Sequence, residues 1–482
     1  MGFRVSQPKG FCVFKAVMCA LSVAAATLGA SRADALSLKD TILFVLETNP
    51  DIKAAEANKQ AIEFELEQAR NFYAPRVEFE VWAGTSENRG TASPDLGAAA
   101  GSVDGYEATA RISQMLFDGF RTRSEIERQA YRIDGAAFRV LERSEVLSLE
   151  AVRLYSDVLR TQSLLSLAQS NLAYHRDVYG RLKTGYDRGV VGIGDLQQGE
   201  ERVYLAEDII LEFQLNSEDA KTLFLATVGV EAKALQTIPV ISRAVPPSLE
   251  TAIGRARSDN PTIKFMQSDV GSAEALSRRA NSNQYPTLHL EAEGRTGEDV
   301  GGFTGDREDF RVGVVMRYEF QGNRKRAERQ EQARRVNESR SHLLSHTRRV
   351  ESEVRQSWST LRSAKRRLST IQAQARLSRN LREAYETEYL VGNRSLLDVL
   401  NTQSALFQAE ANLINARSLA TYVEYRLLAS IGVLLPTLGM EPPEDSQPYA
   451  RDQVGAPGLS EVSSERQFDA NSFKNWRKTV DK

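Results

Sequence analysis

Residues 48–53 read Thr-Asn-Pro-Asp-Ile-Lys, and residues 259–264 read Asp-Asn-Pro-Thr-Ile-Lys, 211 positions later. Pro75 and Pro286 keep the same offset. Later landmarks recur at an offset of 203: Phe117 and Phe320, Gly119 and Gly322, Gly189 and Gly392, Asp195 and Asp398, Gly229 and Gly432. Shared offsets over such a distance indicate an internal duplication, with one eight-residue length difference between Pro75 and Phe117. We therefore expect two repeats, residues 36–235 and 246–435.

The N-terminus has the three parts of a secretory signal peptide. Arg4, Lys9 and Lys15 precede an apolar run over residues 16–30, and Ala33-Asp34-Ala35 supplies a small-residue cleavage site. The alternative is an anchor helix, but about 15 apolar residues are fewer than the ~20 that span a bilayer. We expect residues 1–35 to be removed on export.

Composition excludes several classes of function. Both cysteines, Cys12 and Cys19, lie in the signal segment, so the mature chain has no thiol for disulfides, metal binding or catalysis. A formal net charge of -2 gives no reason to expect nucleic-acid binding. No catalytic, cofactor or metal motif stands out, so we predict neither an enzyme nor a bound cofactor. After residue 35 there is no apolar run of 18 residues, which leaves a soluble exported protein or an outer-membrane β-structure.

Each repeat contains a long helix with a heptad pattern. In the first half the apolar stripe has a period of 3.5 residues, and the positions 203 residues later keep its phase. The stripe comprises Leu147, Ala151, Leu154, Val158, Thr161, Leu165, Ala168 and Leu172, then Val350, Val354, Ser357, Leu361, Ala364, Leu368, Ile371 and Ala375. A helix from Gly119 to Gly185 would be about 100 Å long at 1.5 Å per residue, too long for an ordinary globular domain.

Four segments alternate apolar and polar residues, which predicts strands at about 76–84, 106–117, 286–294 and 309–320. One apolar face and one polar face suit a membrane barrel, with the apolar side chains toward lipid. The predicted lipid-facing residues are Val77, Phe79, Val81, Leu288, Leu290, Val312 and Val314. The alternative is a half-buried sheet in a soluble protein. Four strands cannot close a barrel and open edges are not viable in lipid, so the membrane interpretation requires an oligomer.

From about Leu36 to Leu435, these features resemble the TolC-like outer-membrane efflux family. The resemblance implies a mixed α and β fold: a homotrimer whose chains each give four strands to an outer-membrane β-barrel and long helices to a periplasmic α-barrel. It also implies a periplasmic adaptor protein and an inner-membrane ABC transporter or other pump as partners. Residues 116–125, Leu-Phe-Asp-Gly-Phe-Arg-Thr-Arg-Ser-Glu, together with Asn49-Pro50, are similar to the type I protein secretion branch, which includes agglutination and adhesin exporters. Two alternatives stay open: a small-molecule efflux duct of the same fold, and a soluble periplasmic coiled-coil scaffold.

The resemblance is most specific over residues 389–401, Tyr-Leu-Val-Gly-Asn-Arg-Ser-Leu-Leu-Asp-Val-Leu-Asn. It implies that this stretch is a turn at the periplasmic tip, with Gly392 and its counterpart Gly189 as turn glycines. By the same resemblance Asp398 belongs to an acidic ring, Asn401 replaces a second acid, and Tyr389 and Arg394 tie neighbouring helix pairs, with Asp195 as a partner. A ring of carboxylates would favour cations. The alternative for Asp195 and Asp398 is helix N-capping.

Proline becomes frequent after Pro436, with Pro442, Pro443, Pro448 and Pro457 following it. Such a composition breaks helices, and we expect residues 436–482 to form a flexible or loosely wrapped tail.

Overall fold

The computed structural model describes residues 35–88, 101–302, 304–320 and 322–459. Ten α-helices and four strands follow one another in these residues: α1 Leu38–Thr48, α2 Pro50–Arg70, β1 Arg76–Asn88, β2 Gly101–Phe117, α3 Arg121–Asp187, α4 Ile193–Val228, α5 Leu249–Asp259, α6 Pro261–Asn281, β3 Thr287–Glu298, β4 Asp306–Arg317, α7 Arg324–Leu390, α8 Leu396–Ile431, α9 Leu434–Thr437 and α10 Ala450–Val454. The predicted signal segment lies outside the described residues, apart from Ala35. Within the described ranges, none of the helices combines the length and the apolarity that a membrane crossing requires.

The repeated Asn-Pro pair marks the start of a helix in each half. Asn49 caps α2 and accepts a hydrogen bond from the backbone N–H of Asp51 at 2.9 Å. Asn260 caps α6 in the same way, with the N–H of Thr262 at 3.0 Å. Proline follows at the first helical position, where its missing N–H costs no hydrogen bond and its fixed φ suits the helix.

The two long helices, α3 and α7, have 67 residues each, and the shorter α4 and α8 have 36 each. At 1.5 Å per residue, α3 and α7 are about 100 Å long, as the spacing of the glycines predicted. Thirteen of the sixteen predicted heptad positions are buried, and Leu147, Leu165 and Leu368 are half-buried. The stripe packs because each long helix runs beside the helix that follows it; α3 also runs beside α6 and α8 of the second half, and α7 beside α5 and α6 of its own half.

The duplication is also visible in side-chain contacts. Arg176 on α3 binds Glu207 on α4 at 2.8 Å, and Arg379 on α7 binds Glu410 on α8 at 2.5 Å. Both members of the second pair lie 203 positions after their counterparts, so the two helix pairs share one packing register as well as one sequence pattern.

The four strands form one antiparallel sheet in the order β1-β2-β3-β4. All four predicted strands are present; all of them extend further toward the outer tip than expected, and β4 also ends three residues earlier. The expectation of a single eight-residue length difference is wrong in detail. The first hairpin is seven residues longer than the second at its tip. The eighth extra residue lies in a β-bulge of β2, between Met115 and Phe117.

Residues 436–459 of the C-terminal segment pack against the first half, which fits the wrapped alternative and not the flexible one. Asp134 on α3 accepts hydrogen bonds from the backbone N–H groups of Tyr449, Ala450 and Arg451. Lys59 on α2 binds Asp445 at 2.8 Å. Prolines prevent a long helix here, but these specific acceptors hold a segment that has little regular structure of its own. The remainder of the tail, residues 460–482, lies outside the described ranges.

Candidate functional site

The distal turns, residues 188–192 and 391–395, join the long helices to the shorter ones at the end of the molecule away from the sheet. Gly189 has φ 73° and Gly392 has φ 78°, a left-handed conformation that residues with a Cβ rarely adopt. The N–H of Gly189 donates to Tyr186 at 2.8 Å, and the N–H of Gly392 donates to Tyr389 at 3.0 Å. Both predicted turn glycines therefore close the same kind of turn.

Asp398 lies in the first turn of α8, where it contacts the N-cap residue of the helix. Ser395 is the N-cap residue; its hydroxyl accepts from the N–H of Asp398 at 3.2 Å and donates to the Asp398 carboxylate at 2.8 Å. A carboxylate at this position also interacts favourably with the helix dipole. The capping alternative thus describes a real contact of Asp398, whose side chain remains partly exposed.

Asp195 occupies the matching position in α4 but has a different environment. The N-cap residue there is Gly192, which has no side chain to cap the helix. Asp195 is exposed, and so is Asn401 on α8. The two distal turns are therefore alike in backbone but unlike in side-chain support.

Arg394 does not contact Asp195 within the described chain; it binds Glu388, in the last turn of α7, at 2.8 Å. Its guanidinium also lies 4.1 Å from the centre of the Tyr385 ring. The hydrogen bond to Glu388 raises the pKa of Arg394, and Asp398 is close enough to add to this effect. Inside one chain Arg394 thus pairs with an acid six positions earlier, and its tie to Asp195 stays a prediction.

A small apolar group, the tip cluster, joins the two halves just above the distal turns. It comprises Val178, Leu182, Leu396 and Leu400, with Tyr174, Val191, Leu196 and Tyr389 packed around them. Tyr389 therefore contributes to packing between the two helix pairs of one chain, α3–α4 and α7–α8.

Polar contacts between the halves surround the tip cluster. Gln403 donates to Asn171 at 2.9 Å in a buried position. Arg382 on α7 lies 5.7 Å from the centre of the Tyr174 ring on α3, and Glu386 of its own helix binds it at 2.7 Å. Sequence reasoning missed these residues. Heptad spacing identifies the buried stripe, but it carries no signal for which polar side chains meet across two helices.

The sheet has one face of exposed apolar side chains, which we call the apolar face. Phe79 is 80% exposed, Val312 59% and Val314 63%. Val77, Val81 and Leu290 are also exposed on this face, and Leu288 is half-buried. The register places these residues beside one another, because Val77 pairs with Ile112 and Leu290 pairs with Val314. All seven predicted residues therefore share a single face.

The opposite face, the polar face, carries ion pairs that run across the strands. Glu293 on β3 binds Arg111 on β2 at 2.6 Å and Arg311 on β4 at 2.9 Å. Arg295 binds Glu107 at 3.1 Å. Arginine forms such charge-assisted bonds with good geometry, so the polar face is a connected surface rather than a set of isolated charges. The alternation predicted a polar face, but the pairs depend on cross-strand register, which the pattern of one strand does not give.

The protein family model described as "Outer membrane efflux protein" matches residues 44–227 and 252–433. The outer membrane efflux protein BepC of Brucella suis is 22% identical over 434 residues, covering 88% of this chain and 92% of that protein. The alkaline protease secretion protein AprF of Pseudomonas aeruginosa is 22% identical over 395 residues, covering 80% and 82%. The CmeC outer membrane channel of Campylobacter jejuni has the same fold, with a TM-score of 0.71 at 14% identity over 85% of this chain and 87% of that chain.

These matches confirm the resemblance, the mixed α and β fold and the outer-membrane location that the sequence predicted. They also confirm that the protein has a transport role and is not an enzyme. With both halves matched over most of their length, the chain belongs to the outer membrane efflux protein family.

Proposed function

We propose that the chain works as a homotrimer, in which the four-stranded sheets of three copies close one barrel in the outer membrane. The observation that carries this proposal is the two-faced sheet: apolar side chains are exposed on one face, and paired charges cover the other. In a lone chain the outer edges of β1 and β4 end the sheet. Open edges are not viable in lipid, and a barrel formed by several copies removes them.

In this assembly the apolar face lies toward lipid and the polar face lines a water-filled lumen. The lipid-facing set is then Val77, Phe79, Val81, Leu288, Leu290, Val312 and Val314. The two repeats, residues 36–235 and 246–435, act as two wall sections, and helices about 100 Å long continue the wall on the periplasmic side.

The distal turns then form the inner end of the duct, and they serve as its constriction. The side chains proposed for this role are Asp398, Asn401, Arg394, Tyr389 and Asp195. Asp398 supplies negative charge, while Arg394 and Tyr389 hold the second turn in place through Glu388 and the tip cluster. Asp195 and Asn401 are exposed at the matching end, where a neighbouring copy can reach them.

We infer that the duct is the exit of a tripartite export system, served by a periplasmic adaptor protein and an inner-membrane ABC transporter or other pump. Type I protein secretion is our first candidate, supported by residues 116–125 and by the likeness to the secretion protein AprF. Small-molecule efflux is the second candidate, supported by the likeness to the efflux protein BepC.

Membrane fractionation and electrophoresis test the channel itself. We expect the protein in the outer-membrane fraction, extracted by detergent as a trimer that boiling dissociates. Recovery as a soluble monomer from the periplasm would contradict the channel and favour a coiled-coil scaffold.

A deletion strain tests the cargo. Protein secretion predicts that one or a few large proteins disappear from the culture medium, while sensitivity to drugs changes little. Small-molecule efflux predicts the reverse, with lower inhibitory concentrations of drugs and an unchanged set of secreted proteins. The chain expressed from a plasmid should restore whichever property is lost.

A further inference from the structure

The two hairpins of the sheet have the same internal register. Val77 pairs with Ile112 in the first hairpin, and Leu288 pairs with Met316 in the second. Val81 with Ala108 and Ala292 with Val312 repeat these offsets, 211 from β1 to β3 and 204 from β2 to β4. Each residue of one hairpin therefore has a defined counterpart in the other.

Among the described residues, the joint of β2 with β3 shows how one hairpin meets the next. There Ser113 pairs with Glu291, and Arg111 pairs with Glu293. In a closed barrel of identical chains, β4 of one copy must meet β1 of the next copy. That joint again brings the second strand of one hairpin to the first strand of another.

We propose that β4 of one copy pairs with β1 of the next copy in the register that β2 and β3 already use, so that Arg317 lies directly opposite Glu80 of the next copy. This inference rests on the proposed trimer and specifies how its subunits join. Applying the two offsets to the β2–β3 register gives the neighbouring pairs as well: Val315 faces Trp82 of the next copy, Gly313 faces Gly84, and Met316 faces Val81.

The charges at the two edges fit this register. On the polar face of β1, Glu78 binds Arg76 of its own strand, whereas Glu80 makes no ion pair within the described part of the chain. On β4, Arg317 binds Glu291 at 2.7 Å but remains 57% exposed. Arginine has five N–H donors, so it can bind Glu80 of the next copy while it keeps Glu291.

Other registers fit less well. A slip by one residue would turn the apolar side chains of one strand toward the lumen and its charged side chains toward lipid. A slip by two residues keeps the faces, but it sets Arg317 opposite either Trp82 or Glu78 of the next copy. Trp82 offers no charge, Glu78 already has Arg76, and in both cases Glu80 loses its arginine.

Cysteine cross-linking separates these registers, because the chain has no cysteine after Cys19. Val315→Cys with Trp82→Cys is the matched pair. Val315→Cys with Glu80→Cys and Val315→Cys with Gly84→Cys are the two slipped controls. A disulfide needs Cβ atoms about 3.5–4.5 Å apart, which suits directly opposite residues and not diagonal ones. Under mild oxidation we expect the matched pair to form covalent trimers on non-reducing gels at least about fivefold faster than either control.

A second matched pair, Gly313→Cys with Gly84→Cys, reports on the same register if the Trp82 variant does not assemble. The register would be overturned if a slipped pair cross-linked faster, or if neither matched pair cross-linked in an intact trimer. Either result would leave the channel proposal standing. If the unmodified chain forms no trimer at all, the proposed function fails as well, so the two failures are distinguishable.

Discussion

Glu145 is a buried carboxylate on α3 whose two oxygens accept hydrogen bonds from the backbone N–H groups of Leu434 and Leu435, each at 3.0 Å. Burial raises the pKa of Glu145 to about 7, against the two backbone hydrogen bonds that lower it. Because the folded pKa lies above the unfolded one, the folded protein binds more protons between about pH 4.5 and pH 7. Stability from this residue is therefore present at low pH and is lost as the pH rises through that window.

The Glu145→Gln variant should remove this pH dependence, since a neutral amide resembles the protonated acid. We expect the melting temperature of the detergent-extracted protein to fall from pH 5 to pH 8 in the unmodified chain, by an amount equivalent to about 3 kcal/mol per chain at most. The same profile should be nearly flat in the variant. Glu150→Gln, on the same helix but paired with Arg153, serves as the control and should keep the original profile. Equal slopes in all three proteins would contradict the prediction.

Asp398 combines a structural contact with a charge, and substitutions can separate the two. Asp398→Asn removes the charge but retains an oxygen that can accept from Ser395. Ser395→Ala removes the cap but retains the charge, at a cost of about 1 kcal/mol to the helix start. In single-channel recordings under a salt gradient, we expect Asp398→Asn to reduce cation selectivity and Ser395→Ala to preserve it. If only Ser395→Ala changed the selectivity, capping rather than charge would be the role of Asp398.

The strands are the elements in which a single substitution best tests whether the apolar face contacts lipid. Val312 and Gly313 are neighbours on β4 that face opposite sides of the sheet. Val312→Arg should destabilise the protein by roughly 2–4 kcal/mol near the bilayer midplane, because it moves a charge toward lipid. Gly313→Arg should be far milder, since it lies opposite Glu291 on the polar face and has open space around its Cα. Refolding into lipid vesicles over a urea series measures both; similar costs would favour a soluble sheet.

Elements differ in how far the sequence alone predicts them. Helices α3 and α7 and the four strands follow from periodicity, because each pattern repeats over many neighbouring residues. The docking of residues 436–459 cannot be predicted from periodicity, since Asp134 binds backbone groups more than 300 positions away. The partner of Arg394 was also missed, because an arginine at a turn can reach several acids and only the folded backbone selects Glu388.

At the scale of the whole molecule, charge is distributed unevenly along the proposed duct. The polar face of the sheet carries equal numbers of arginine and acidic residues: Arg76, Arg111, Arg295, Arg307, Arg311 and Arg317 with Glu78, Glu80, Glu107, Glu291, Glu293 and Asp309. Most of them pair with one another, so the barrel section has little net charge to select ions. Selectivity should therefore arise at the distal turns, where Asp398 remains partly exposed and the passage is narrowest in the proposed trimer.

Comparing the two ends of the duct tests this distribution. Arg311→Gln removes one positive charge from the barrel but leaves Glu293 bound to Arg111. We expect its reversal potential under a salt gradient to shift less than that of Asp398→Asn. In a wide lumen, charges more than about 10 Å from a passing ion are screened at 0.1 M salt, and at 1 M the distance falls to about 3 Å. Any effect of Arg311→Gln should thus vanish at high salt, whereas that of Asp398→Asn should persist in the narrow passage. A larger and salt-resistant shift for Arg311→Gln would place the selective section in the barrel.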